Sequence, residues 1–211
     1  AQEGNMKQKL ICVVLHHSKK KGKKYRIATV LDQEKYNLAA NELTKLLSCK
    51  ENSKLLPQEL LPPEGSLGIN LRAYGFKTWS ELFNDRQKLA LLIFLLLIKK
   101  HQEDIFRDSQ TLTNSAELGN AVISYLTLIF GRLLDKNSTL VIYNPYGEKI
   151  EHVFGRTALP MVWDYVELNV FSGGNGDWRS QTKWVLRFIQ SNSWEIKSQI
   201  HVTKGSATKL E

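Results

Sequence analysis

Apolar and polar positions alternate along this chain in patterns that change character several times. In "KLICVVLHHSKKKGKKYRIATV" two apolar runs flank a lysine-rich stretch holding Gly22. That pattern predicts two strands and a turn, a basic-tipped β-hairpin within residues 1–31. Beyond Asp32, an expected N-cap, Leu38, Leu43, Leu46 and Leu47 recur at helical spacing, which predicts an amphipathic helix within 32–50. Residues 51–70 contain Pro57, Pro62, Pro63, Gly65 and Gly68, and read as a linker or an extended wrap.

Residues 71–195 carry the densest apolar pattern and are expected to form a helical core domain. Thr78 with Glu81, and Asn84 with Gln87, each have the spacing of a capping box. The second is expected to open a long buried helix over about 84–106. Its run "LALLIFLLLI" (89–98) would extend roughly 15 Å as a helix, about half a bilayer core. Basic residues flank it on both sides, so a helix buried all round fits better than a membrane span. "TNSAELGNAVISYLTLIFGRLLDKN" predicts a second apolar helix, capped by Asn114 or Ser115, and the two together suggest a helical hairpin. After the turn "NPYG", Leu159, Val162, Trp163, Val166 and Val170 predict a further helix entered at Pro160. Past the cluster "SGGNG", Trp178, Thr182, Val185 and Ile189 form one helical stripe, with Trp184 and Phe188 beside it. Residues 196–211 read as a strand and a small-residue turn. The expected class is α+β: mainly helical, with an N-terminal β-hairpin.

Charge adds one feature. The 211 residues carry a formal charge of +8, and five lysines, Lys19, Lys20, Lys21, Lys23 and Lys24, sit in the hairpin turn. Such a cluster suits a polyanion, because neutralised phosphates release counterions, but it also suits a solvated turn. Cys12 and Cys49 lie in unrelated contexts, without a Cys/His spacing for zinc. No secretory signal is read in the sequence, which favours reduced thiols in the cytoplasm.

Four stretches have chemistry to weigh. "FSGGNGDW" has the composition of a nucleotide loop, but such a loop needs a strand before it, and the preceding residues read as a helix. A helix–helix connection using glycine's positive dihedrals is the favoured alternative. Asp164 and Glu167, three apart, would share a helical face, as an acid–base pair or as solvated carboxylates paired with Arg156 or Lys149. His16 and His17 would point to opposite faces of a strand and cannot share a metal. "RAYGFKTW" brings Arg72, Tyr74, Phe76, Lys77 and Trp79 together, either to meet phosphates and stack bases or to plug the helical core. No nucleophile elbow or triad occurs.

The segments "YRIATVLDQEKYNLA", "RAYGFKTWSELFNDRQKLAL", "YGEKIEHVFGRTALPMVWDYVELNVF" and "GSATKL" occur in one order. This order resembles the middle portion of the large adenine-specific DNA methylases, a group that often carries a zinc ribbon. The resemblance covers about residues 24–210, with "YGFKTWSELFNDRQ" and "RTALPMVWDYVELN" the most specific stretches. It implies a Rossmann-type parent enzyme that uses S-adenosylmethionine to methylate the adenine amine after extruding the base. The family's glycine-rich cofactor motif and its Asp-Pro-Pro-Tyr motif do not occur in these 211 residues. The chain is therefore expected to be an excised inner piece, ending in a vector-like "LE", with no catalytic residue and no cofactor of its own. Expected partners are DNA and the remainder of the methyltransferase polypeptide, not a membrane. DNA contacts are expected from Lys19–Lys24 with Arg72, Tyr74, Lys77 and Trp79. The resemblance further implies that "WDYVELN" approaches a pocket lined by Lys149, Arg156, Trp163, Asp164, Glu167 and Asn169. A structural or protein-interaction domain without DNA contact is the alternative.

Overall fold

A computed structural model describes residues 7–193, except 18, 20, 21, 67, 114, 115 and 157. The expected strand and turn at 196–211, the expected caps Asn114 and Ser115, and Lys20 and Lys21 lie outside the described residues. The chain is α+β and mainly helical, with six α-helices among the described residues.

The N-terminal hairpin pairs β1 (Cys12–Leu15) with β2 (Lys24–Ile27) antiparallel, Val14 facing Tyr25. The strands are shorter than the apolar runs predict, and His16 and His17 lie beyond the end of β1 rather than in it. Helix α1 (Val30–Leu47) is capped by Thr29, not Asp32. Asp32 takes the third helical position, where its carboxylate accepts from Thr29 N (2.8 Å), Thr29 Oγ1 (2.7 Å) and Arg26 (2.6 Å). The short α2 (Lys50–Ser53) follows.

Of the expected linker 51–70, residues 51–53 belong to α2, and 57–61 run extended along 77–80. Leu61 N donates to Lys77 O (2.8 Å), Trp79 N to Glu59 O and Ser80 N to Pro57 O, and Leu61 and Ile69 are buried. In the 3-10 turn Trp79–Leu82, Glu81 accepts from Lys77 N rather than Thr78 N, so the first expected capping box does not close. The second does: Gln87 N donates to Asn84 Oδ1 and Asn84 N to Gln87 Oε1, both at 2.9 Å, and α3 (Asp85–Lys100) begins there.

The expected helix over 84–106 breaks at His101, whose backbone (φ −93°, ψ 7°) leaves the helical region. α4 (Gln102–Thr113) then turns to pack against α5 (Ala116–Asp135). Their close approach depends on Gly119, where a Cβ would meet the Phe106 ring. α5 is the one described helix long and apolar enough to cross a membrane by length and composition; here it also packs against α3 and α6. Neither apolar helix is buried all round, since Ile93, Leu97 and Leu128 are exposed.

The core lies between α3, α5 and three non-helical segments, with Leu71, Leu82, Leu133 and Val141 fully buried. The Leu82 carbonyl ties two of those segments together, accepting from Thr139 N (2.8 Å), Thr139 Oγ1 and Ser138 Oγ (both 2.9 Å). A second hairpin pairs β3 (Tyr143–Asn144) with β4 (Lys149–Ile150).

The largest departure from expectation is at 158–171, which is not helical. Val166, Leu168 and Val170 face the core while Asn169 and Phe171 are exposed, a period of two. Val162, Val166 and Val170 are four apart and fit both periods; the burial of Leu168 decides for the extended one. α6 (Trp178–Ser191) closes the fold, with Trp178 stacked on Phe94 of α3 (centroids 4.6 Å apart) and Gln181 accepting from Arg132 Nε of α5 (2.8 Å).

Candidate functional site

Three stretches remote in sequence, 14–23, 143–150 and 166–187, converge on one cleft of about 480 Å³. Its floor is the extended segment 166–169. One wall is α6, whose helical spacing puts Ser180, Lys183, Trp184 and Arg187 on a single face. The opposite wall is formed by the two hairpins, which contribute Val14, His16, Lys23, Tyr143, Glu148 and Lys149. The glycine loop 172–175 closes one end.

The hairpins hold each other. Tyr25 and Tyr143 share a hydroxyl–hydroxyl bond (2.7 Å), and Lys23 N donates to Glu148 Oε1 (2.9 Å). Glu148 adopts a left-handed backbone (φ 46°) in the second turn. Burial and the Tyr25 contact push the Tyr143 hydroxyl pKa well up. Lys23 Nζ reaches His16 Nδ1 (3.2 Å), and the His16 ring lies over Gly174.

The floor is clamped from below. Glu167 accepts a bidentate pair from Arg86 of α3, Nε at 2.5 Å and Nη2 at 2.9 Å. Asn84 Nδ2 donates to Glu167 Oε2 (3.0 Å) and to Tyr165 OH (2.9 Å), and Tyr165 OH donates to Gln8 (2.7 Å). The Arg86 guanidinium lies 5.4 Å from the Tyr36 ring centroid. Glu167 holds the Arg86 pKa up, and burial pushes the Tyr165 hydroxyl up to about 12. The partner of Glu167 is thus Arg86, not the expected Arg156 or Lys149. Asp164 is exposed and shares no helical face with Glu167, because the segment is not a helix.

The glycine loop does follow extended backbone and lead into a helix, contrary to the sequence expectation. The N–H groups of its three glycines are nevertheless spent internally. Buried Asp177 caps α6, accepting from Ser180 N and Gly173 N (both 2.8 Å). Gly174 N donates to Ser172 Oγ and Gly176 N to Ser180 Oγ. A carboxylate of the chain itself fills the helix N-terminus that a phosphate would use. Gly173 (φ 74°) and Gly176 (φ 101°) supply the positive dihedrals the turn needs.

Of the residues expected to line a pocket, Lys149, Glu167 and Asn169 line this cleft, and Arg156, Trp163 and Asp164 do not. Of those expected to meet DNA, Lys23 lines it, while Lys19 and Lys24 are exposed on the same hairpin. Arg72, Tyr74, Lys77 and Trp79 lie elsewhere: Phe76 and Trp79 pack against the core, and Tyr74 meets Trp163 edge-on (5.6 Å). Sequence reasoning missed His16, Lys183, Trp184 and Arg187. The signal was Lys183 and Arg187 on the side of α6 away from the apolar stripe, with Trp184 between them in sequence. Both cysteines are free and exposed, and among the described residues no group of three or more His, Cys, Asp or Glu side chains is placed to hold a metal.

No family model, no curated protein and no solved structure matches this chain.

Proposed function

We propose that this chain is the non-catalytic inner segment of a cytoplasmic adenine-specific DNA methyltransferase, and that it forms part of the cleft that receives DNA. S-adenosylmethionine and the catalytic motif would belong to the rest of the polypeptide. The family resemblance supports the parent activity. The observation that carries the DNA-facing role is the convergence of Lys23, Lys149, Lys183 and Arg187 on one cleft. Lys149 is partly neutralised by Glu151 (3.3 Å), whereas Lys183 and Arg187 make no ion pair with a described residue. Lys19 and Lys24, exposed on the same hairpin, would add to this basic surface, and Arg72 and Lys77 would add separate contacts.

The test is fluorescence anisotropy of labelled oligonucleotides across a salt series. Four phosphate contacts give a slope of log K against log salt of about −3 on single strands. Replacing Lys183 and Arg187 by alanine should reduce its magnitude by about 1.4. No binding at low salt, or a slope unchanged in the double variant, rejects the proposal.

A second reading has its own support. An apolar groove of about 230 Å³ on α3, lined by Ala90, Ile93, Leu97 and Phe171, suits packing against protein. Tight binding to the remaining methyltransferase polypeptide with no affinity for DNA would favour it.

A further inference from the structure

The basic cleft contains one large apolar group turned to solvent. Trp184 is 60% exposed, although it lies on a helix whose other tryptophan, Trp178, is stacked on Phe94. Lys183 and Arg187 flank it along α6, and Lys23, whose Nζ reaches His16, lines the same cleft from the hairpin. An open indole ringed by cations offers a π-face for a base and charges for the phosphates on either side of it. The cleft volume falls within the range of pockets that bury small ligands, the scale of one nucleotide, and a base still stacked in a duplex has no face free for the indole.

From this geometry we infer that Trp184 is a stacking platform for an unpaired base, and that the cleft selects single-stranded over duplex DNA. The inference rests on the proposed DNA-facing role and deepens it. Free nucleotide and an unpaired nucleotide within a strand share the same chemistry; Lys183 and Arg187, on either side of Trp184 along α6, offer charges for the flanking phosphates of a strand.

The test uses the chain as it stands, with labelled 15-mers: a single strand, an abasic strand of equal length, and a duplex. The single strand should bind best. Trp184→Ala should weaken it about tenfold or more while leaving the abasic strand unchanged, and Trp184→Phe should recover most of the loss. Adenosine monophosphate should compete only at far higher concentration than the single strand. The inference is overturned if the abasic strand binds as tightly as the single strand, if Trp184→Ala changes nothing, or if the mononucleotide competes equally. In those cases binding to the abasic strand and the duplex persists, and the DNA-facing role stands. Absence of binding to all three probes overturns both. Trp184 is outside the core, so circular dichroism of the alanine variant should match the parent.

Discussion

Arg86→Met should destabilise the fold by about 2–3 kcal/mol. The side chains of Arg86 and Glu167 are 34% and 17% exposed, so the pair lies between two regimes. Exposed pairs contribute about 0–1 kcal/mol, while breaking a fully buried one costs about 3–5 kcal/mol. Intermediate burial places the ion-pair loss near 2 kcal/mol. Losing the cation over Tyr36 adds about 0.5 kcal/mol. Methionine keeps much of the apolar stem, so packing loss is small. For a chain of this size each kcal/mol moves Tm by about 2–4 °C, which gives a fall of roughly 5–10 °C. The assay is urea unfolding of Arg86→Met, Glu167→Gln and the double variant. Coupling of about 1.5–2 kcal/mol is expected, since the two groups share hydrogen bonds. If the single losses add to within about 0.5 kcal/mol, or if Arg86→Met is as stable as the parent, the clamp beneath the cleft is not what fixes 165–169.

Gly119→Ala gains about 1 kcal/mol of helix propensity, but the new methyl would press on the Phe106 ring, with Cε1 only 2.8 Å away. Overpacking costs about 1–3 kcal/mol, so thermal unfolding should show a net loss, and a raised Tm would refute the close approach of α4 and α5. The Tyr165 hydroxyl is raised to about 12 from a free value of about 10. Its folded pKa lies above the unfolded one, so its contribution is fully present below about pH 10 and is lost between about pH 10 and 12. Urea unfolding of Tyr165→Phe should show a shallower decline over that window, and an identical decline would refute the assignment. Asp177→Ala removes the α6 cap and the Gly173 contact together, costing about 2 kcal/mol, and should speed hydrogen exchange at Gly173 and Ser180; Asp177→Asn should retain most of the protection.

Local chemistry was legible in the sequence. The Asn84–Gln87 box depends on residues three apart and needs nothing from the rest of the fold. The lysine-rich hairpin and the inward stripe of α6 are likewise local patterns. The helix expected at 158–171 failed because a spacing of four is common to both periods, and the choice was made by which face the core covers. The break at His101 has no proline or glycine to announce it. The cleft was only partly visible, since Lys23, Lys149, Asn169 and Arg187 meet through contacts that no local window contains. The aromatic residues of "RAYGFKTW" illustrate the converse, because a composition that suits stacking on bases serves here largely to fill the interior.

The tyrosine-to-tyrosine bond between the hairpins spans 118 positions, and the neighbouring Lys23–Glu148 bond spans 125. Strands of four and two residues do not persist alone, so each ribbon relies on the other for its shape. Closing so large a ring carries an entropic cost that only a largely assembled body can offset. This flank of the molecule should therefore condense late and open early, and any molecule that bridges it to α6 would shift that equilibrium toward the closed form. Occupancy and local order on this flank are thus two readouts of one equilibrium.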